Sequence, residues 1–335
     1  MSFVRLAEVW RGPAVESVHH GVAVVADAAG RIVQAWGDPG FVTFPRSSLK
    51  PFQAIGLVES GAADALGLSP EHLALACASH RAEDFQVSLV RDWLGRMELT
   101  EAALVCGPDL PRDARDQAAL LRGGGGPARV FHNCSGKHCG FLAVARRLGA
   151  PTVGYDDPAH PAQRLYFDAL SELLGRDAAG LARGVDGCGL PAFALSVGDM
   201  ARAAARHAAA AVASEARRDA IRRIHAAMRA HPDHLSGRDQ PTSRIIRATQ
   251  GRVLVKGGAE GFVLALVPDR GLGIAVKIAD GASRAKMGVL AALLGRLGLL
   301  DAAEAEALCG AVEPPVLDSN GRAVGRIAIT LPPTA

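Results

Sequence analysis

Residues 252–278 read RVLVKGGAEGFVLALVPDRGLGIAVKI, and the fold turns on them. Three apolar runs, RVLVK, FVLALV and LGIAVKI, are rich in Val, Ile and Leu and are short enough to be strands. Gly-rich turns separate them, the second being Pro268-Asp269-Arg270-Gly271. Toward the C-terminus a helix is expected over about residues 283–298, followed by a strand near VGRIAIT (324–330). Toward the N-terminus, GVAVVAD (21–27) and RIVQAWG (31–37) flank Asp27-Ala28-Ala29-Gly30 and read as a β-hairpin.

Between these ends, roughly residues 83–232 are mainly helical, with RLYFDALSELLG (164–175) and MARAAARHAAAAVASEARRDAIRRIHAAM (200–228) as the clearest helices. The four glycines Gly123–Gly126 read as a mobile loop, not as a phosphate cradle. The order of elements is strands, a helical middle, strands, then a helix, without βαβ alternation. The simplest packing brings the terminal strands into one antiparallel sheet flanked by helices, with the helical segment inserted. The expectation is therefore an α/β (α+β) fold forming a single two-lobed domain. Its sheet lobe would take about 1–60 and 250–335, and its helical lobe about 61–249.

The 335 residues are 49% apolar, enough for a sizeable core, but only 4% aromatic. So few stacking platforms argue against a single-strand nucleic-acid reader. The 37 basic and 34 acidic residues form no block that would mark a charged partner. The opening MSFVRLAEVWRG lacks the apolar run of a signal peptide, and no later stretch suits a membrane span. A cytoplasmic protein is expected, and its six cysteines (Cys77, Cys106, Cys134, Cys139, Cys188, Cys309) should be thiols, buried by default.

The stretch Arg46-Ser47-Ser48-Leu49-Lys50-Pro51-Phe52-Gln53 carries the chemistry. Pro51 is tolerated only in a helix's first turn, so a helix is expected to begin near Ser47 or Ser48. Ser47 would sit at its entrance, where free N–H groups favour developing negative charge. Lys50, three residues on, would return to the same face as a base, provided burial or a neighbouring cation such as Arg46 keeps its amine neutral. Taken alone, Ser-x-x-Lys reads as a helix cap and a surface lysine. Chain order changes that reading. Ser79 follows the apolar run LALACA, and Lys256-Gly257-Gly258 ends a strand, which is the layout of the penicillin-recognising serine hydrolases. The likeness is one of architecture, because Ser79-His80 replaces Ser-Asp-Asn. Ser79 and Lys256 would form a second Ser–Lys couple, and a satisfied polar role weighs above direct catalysis for His80.

SSLKPFQA, ACASH, NCSGKHCG, DGCGLP and KGGAEG, in this order and spacing, closely resemble the rhizobial-type (class 3) L-asparaginases of the asparaginase II family. The match runs from Glu16 to about Arg326. The resemblance implies a fold similar to serine β-lactamases, penicillin-binding proteins and glutaminases, and a homodimer that hydrolyses L-asparagine to L-aspartate and ammonia. It implies Ser47 as nucleophile, Lys50 as base, and Ser79 with Lys256 as the second pair. Arg46, His80, His138, Asp186, Gly257 and Gly258 would then contact substrate. Four places depart from the family pattern. Relatives commonly read Ser-His-x-Gly-Glu where this chain has Ser79-His80-Arg81-Ala82-Glu83; Ala often stands at Cys139 and Asn at His132; and residues 237–244 differ from a usual Asp-Thr pair.

By composition, Cys134, Lys137, His138, Cys139 and Cys188 allow a thiolate/imidazole zinc site, but no C-x-x-C spacing is present, which favours buried free thiols. The resemblance alters the balance: it implies that Cys134, Lys137 and Cys188 bind Zn2+, orienting substrate, with Cys139 as packing. The expected chemistry is attack of Ser47 on the side-chain amide, loss of ammonia and hydrolysis of the ester, rising on the alkaline side of neutrality. Glutamine or another small amide is the alternative substrate, and a zinc-stabilised amino-acid sensor the non-enzymatic alternative.

Overall fold

In the computed structural model, which describes residues 2–333, the three decisive runs form strands Leu254–Gly257, Phe262–Val267 and Leu272–Ile278. They belong to an eight-stranded sheet. Its order is Val316–Leu317, Ala323–Ile329, Val4–Arg11, Ala14–Asp27, Leu272–Ile278, Phe262–Val267, Leu254–Gly257, with Ile32–Trp36 paired to Ala14–Asp27 off this path. Every pairing in it is antiparallel. The first and last strands therefore meet in one sheet, as expected.

Alternate residues point to opposite faces of a strand. Val25, Val263, Ala265, Ile274 and Val276 pack with Val289, Leu290 and Leu293 of helix Lys286–Arg296 on one face. The other face is covered by helix Val197–Ala208, which contacts four of the sheet strands. There the approach is backbone-close: a Cβ on Gly273 would stand 2.2 Å from the Ala201 carbonyl oxygen. Burial on both faces explains why the strands read as continuous apolar runs instead of alternating ones.

The chain divides into two compact units. The sheet unit comprises Met1–Ser48, Ala194–Ala211 and Gln240–Ala335, and the helical unit Leu49–Phe193 and Val212–Asp239. The helical unit is built around Ser135–Arg147, whose residues from Ser135 to Ala145 are all buried. Asp84–Arg96, Pro161–Leu174 and Pro70–Ala76 pack against or beside it, the last begun by a Ser69 capping box. Phe141, Tyr166, Phe167 and Phe193 meet edge-on, concentrating the scarce aromatics in this unit.

Three expectations need correction. The boundaries of about 60 and 250 are displaced, because the chain changes unit after Ser48 and again before Gln240. The long helix expected over 200–228 is two helices, Val197–Ala208 and Glu215–Ala230, and the first belongs to the sheet unit. Ala210 at φ +48° breaks it, and the Ser214 hydroxyl caps the second helix by accepting from the Arg217 amide. Finally, no long helix starts at Ser47. Arg46–Leu49 is a 3-10 turn, followed by only the four-residue helix Lys50–Gln53, so the dipole argument loses most of its force. No helix among the described residues is long and apolar enough to cross a membrane.

Candidate active site

The sheet unit holds Arg46, Ser47, Lys256, Gly257 and Gly258. Ser47 lies in the 3-10 turn, closed by the Ser48 amide donating to the Pro45 carbonyl at 3.1 Å. Arg46, just before it, is held at φ +49°, a conformation that costs a non-glycine residue energy and recurs at functional turns. The Ser48 hydroxyl donates to the Lys256 carbonyl at 3.2 Å, which ties the turn to the edge strand. Gly258 fits flush against the same turn: a Cβ there would lie 2.6 Å from both the Pro45 oxygen and the Ser48 hydroxyl. The Lys256 amine turns back to the Gly257 carbonyl at 2.7 Å.

The helical unit holds Lys50, Ser79, His80, Cys134, Lys137, His138, Asp186 and Cys188. Lys50 is fully buried, and its amine meets the Ala78 carbonyl, the Ser79 hydroxyl at 3.1 Å and the Asn133 carbonyl at 3.4 Å. Burial lowers its pKa; the nearby Cys134 opposes that, and the Lys137 charge reinforces it. A neutral amine that donates to the two carbonyls keeps its lone pair for the Ser79 hydroxyl. A Ser79–Lys50 bond forms inside the helical unit.

His80 has both ring nitrogens occupied by the protein. The Ser135 hydroxyl donates to the Val130 carbonyl, so it accepts from His80 Nε2–H at 2.8 Å, and His80 Nδ1 accepts from the Ala82 amide at 3.1 Å. Burial drives its pKa down to about 3, so the ring is neutral. That leaves no ring nitrogen for substrate, and the residue works as a clamp on the Ser79 loop.

His138 is different. Its Nδ1 lies 2.6 Å from the Tyr155 hydroxyl, which itself accepts from the Val105 amide at 2.8 Å. The hydroxyl proton then goes to Nδ1, and the proton on Nε2 has no partner among the described residues. A buried N–H without an acceptor suits a ligand contact. Sequence reasoning gave Tyr155 no place in the site, although Gly154-Tyr155 is among the stretches that resemble the family.

Cys134, Lys137 and Cys188 come together. The Lys137 amine donates to Cys188 Sγ at 2.9 Å and lies 3.8 Å from the Asp186 carboxylate. Gly189, at φ +92°, makes the turn that presents Cys188 between strands Arg183–Val185 and Pro191–Phe193. The hydrogen bond between Cys188 and Cys134, with the Lys137 charge beside it, holds Cys134 well below the usual thiol range, and the same hydrogen bond raises Cys188. Burial works against the Lys137 charge, but Cys134, Cys188 and Asp186 outweigh it and raise its pKa. No cluster of three or more His, Cys, Asp and Glu side chains able to hold a metal exists among the described residues. A site here therefore needs the lysine as its third donor. Two sulfurs and an amine on two adjoining elements are a donor set that fits zinc.

The family model for L-asparaginase II matches residues 7–329. The chain belongs to the L-asparaginase II family. It is thus an amidohydrolase acting on a small-molecule amide. No curated protein sequence matches this asparaginase II member. Among solved structures it is similar to Mglu, at 15% identity over 84% of this chain and 67% of that one, with a TM-score of 0.46. It is also similar to a β-lactamase from Mycobacterium bovis, at 15% identity over 86% and 96%, with a TM-score of 0.42. Against Mglu in its tris and glutamate form the chain spans 59% of that protein's length, with 15% identity and a TM-score of 0.48. Neither likeness carries a functional argument.

The departures of this asparaginase II member from its relatives have physical counterparts. Ala82, where relatives have Gly, sits at φ +61° with its amide on His80. His132, in place of Asn, accepts from the Cys134 amide at 3.0 Å, and Cys139 is fully buried as packing. Segment 237–244 straddles a change of unit. Its first part is bound to the Ser79 loop: the Arg238 amide donates to Glu83 at 3.0 Å, and its guanidinium lies 4.6 Å over Phe85.

Proposed function

We propose that this protein is an L-asparagine amidohydrolase working through a seryl acyl-enzyme on Ser47. The observation that carries the reading is the buried amine of Lys50, held by two carbonyls and the Ser79 hydroxyl and placed three residues from Ser47. In this scheme Lys50, with Ser79 as relay, accepts the Ser47 proton while the oxygen attacks the side-chain amide carbon. The proton passes to the leaving nitrogen, ammonia departs, and water hydrolyses the aspartyl ester. Backbone N–H groups at Ser47 and beyond Lys256 receive the oxyanion. His138 Nε2–H is the side-chain donor to substrate, and Asp186, 3.8 Å from the Lys137 amine, lies in the same unit.

Cys134, Lys137 and Cys188 would hold a zinc ion. Bound there, the cation supplies a fixed positive charge that orients a carboxylate or carbonyl of the substrate. Metal analysis of protein purified without chelator tests that set, and light scattering tests the homodimer. The reading itself is tested by ammonia release from asparagine and glutamine side by side. Ser47→Ala should lower kcat by at least about 10³-fold on the preferred amide. Near-normal turnover in that variant would sink the nucleophile assignment.

A further inference from the structure

Lys286 is a cation placed where folding alone disfavours it. It is the first residue of helix Lys286–Arg296, at the positive end of the dipole, and no acidic residue shares that first turn. It is only partly exposed, and among the described residues no carboxylate forms an ion pair with it. The nearest charge acting on it is another amine, Lys277, whose own neighbours are Glu260 and Asp280. Burial and then Lys277 lower the Lys286 pKa to about 8. Such a placement marks a group retained for a task.

The task is visible at the end of the side chain, where the amine donates to the Gly258 carbonyl at 2.7 Å. That carbonyl belongs to the peptide linking Gly258 to Ala259. In a trans peptide the C=O and N–H point in opposite directions, so fixing one aims the other. The amides along this strand end are used unequally. Gly258 N–H donates to the Phe262 carbonyl at 2.8 Å, whereas Ala259 N–H has no acceptor among the described residues. Gly258 is also the residue pressed flush against the Pro45–Ser48 turn that carries Ser47.

We propose that Lys286 is a positioning residue for the amide chemistry: by gripping the Gly258 carbonyl it orients and polarises the next peptide, making Ala259 N–H the strand's donor to the oxyanion. A charged donor on the carbonyl pulls electron density through the amide and strengthens its N–H as a donor. The inference rests on the seryl acyl-enzyme reading, and its test has one arm that needs no turnover.

In the first arm, kcat and KM for asparagine are measured for Lys286→Met and Lys286→Arg. The methionine variant should lose about 10- to 100-fold in kcat, with KM within about twofold and no fall in Tm. Arginine should recover most of the loss. A kcat within about twofold of the parent in Lys286→Met overturns the inference, as does a loss that tracks Tm and that arginine does not rescue. In the second arm, glycine-carbonyl and alanine-amide labelling follows the Ala259 amide nitrogen shift against pH in substrate-free protein. It should titrate with a midpoint near 8 in the parent and be flat in Lys286→Met. A flat parent profile, or one unchanged in Lys286→Met and so owed to Lys277, Glu260 or Asp280, overturns the inference. A parent that titrates as expected but hydrolyses no asparagine overturns the substrate reading and leaves the Lys286 contact standing.

Discussion

The sheet unit's candidate residues work through backbone: a strained turn at Arg46, a glycine pressed against it at Gly258, and a carbonyl of Lys256 holding the Ser48 hydroxyl. Those of the helical unit work through side chains, with Lys50, His80, Cys134, Lys137 and His138 all buried and all ionisable. The first arrangement is sensitive to volume, because nothing in it can move aside. The second is sensitive to charge, because burial sets which groups are protonated.

The largest effect expected from this contrast is on the charge side. Lys50→Met should lower kcat on asparagine by about 10³-fold or more, with an unfolding free energy within about 1 kcal/mol of the parent. Removing a desolvated amine offsets much of the cost of leaving the Ala78 and Asn133 carbonyls without a donor. A variant that unfolds while its remaining folded fraction turns over normally would break the contrast. The volume side is probed by Gly258→Ala. Its methyl group would meet two oxygens at 2.6 Å, so denaturant unfolding should show a loss of about 2–3 kcal/mol. Gly257→Ala sharpens the point, since its nearest neighbour is 4.0 Å away and stability should hardly change.

A pH effect of about 3 kcal/mol between pH 7 and 4 is expected from His80. Its folded pKa of about 3 lies below the ordinary value near 6.5, so the unfolded chain binds the proton first. The contribution is complete above pH 6.5 and is lost progressively as pH falls toward 3. Unfolding of the parent and of His80→Gln, followed between pH 7 and 4, should show a weaker acid decline in the variant. The smallest effect is at Ala82. Glycine accepts φ +61° without strain, so Ala82→Gly should raise stability by about 0.5–1 kcal/mol in the same assay.

Much of the sheet was legible because residues 252–278 interrupt apolar runs with glycine and proline, and because GVAVVAD and RIVQAWG flank a turn. Val4–Arg11 escaped notice, since VRLAEVWR mixes Arg5 and Glu8 into a strand where they bond each other on one face. The helix Ala302–Val312 was also unread, its run of Ala and Glu giving little hydrophobic period. In the site, Ser47 and Lys50 were legible because they are close in sequence. The His138–Tyr155 contact and the Lys286 grip on Gly258 were not, because each joins residues 17 and 28 positions apart through burial that no local pattern records.

The pairing of Val4–Arg11 with Ala323–Ile329 has a consequence for how the protein is made. During synthesis Val4–Arg11 keeps one row of amides and carbonyls open until Ala323–Ile329 has been made and has paired with it. A stalled or clipped product lacking Ala323–Ile329 would carry that open edge into solution, where a second such chain can add to it. Protection of that edge thus rests on a strand far along the chain from the one it covers.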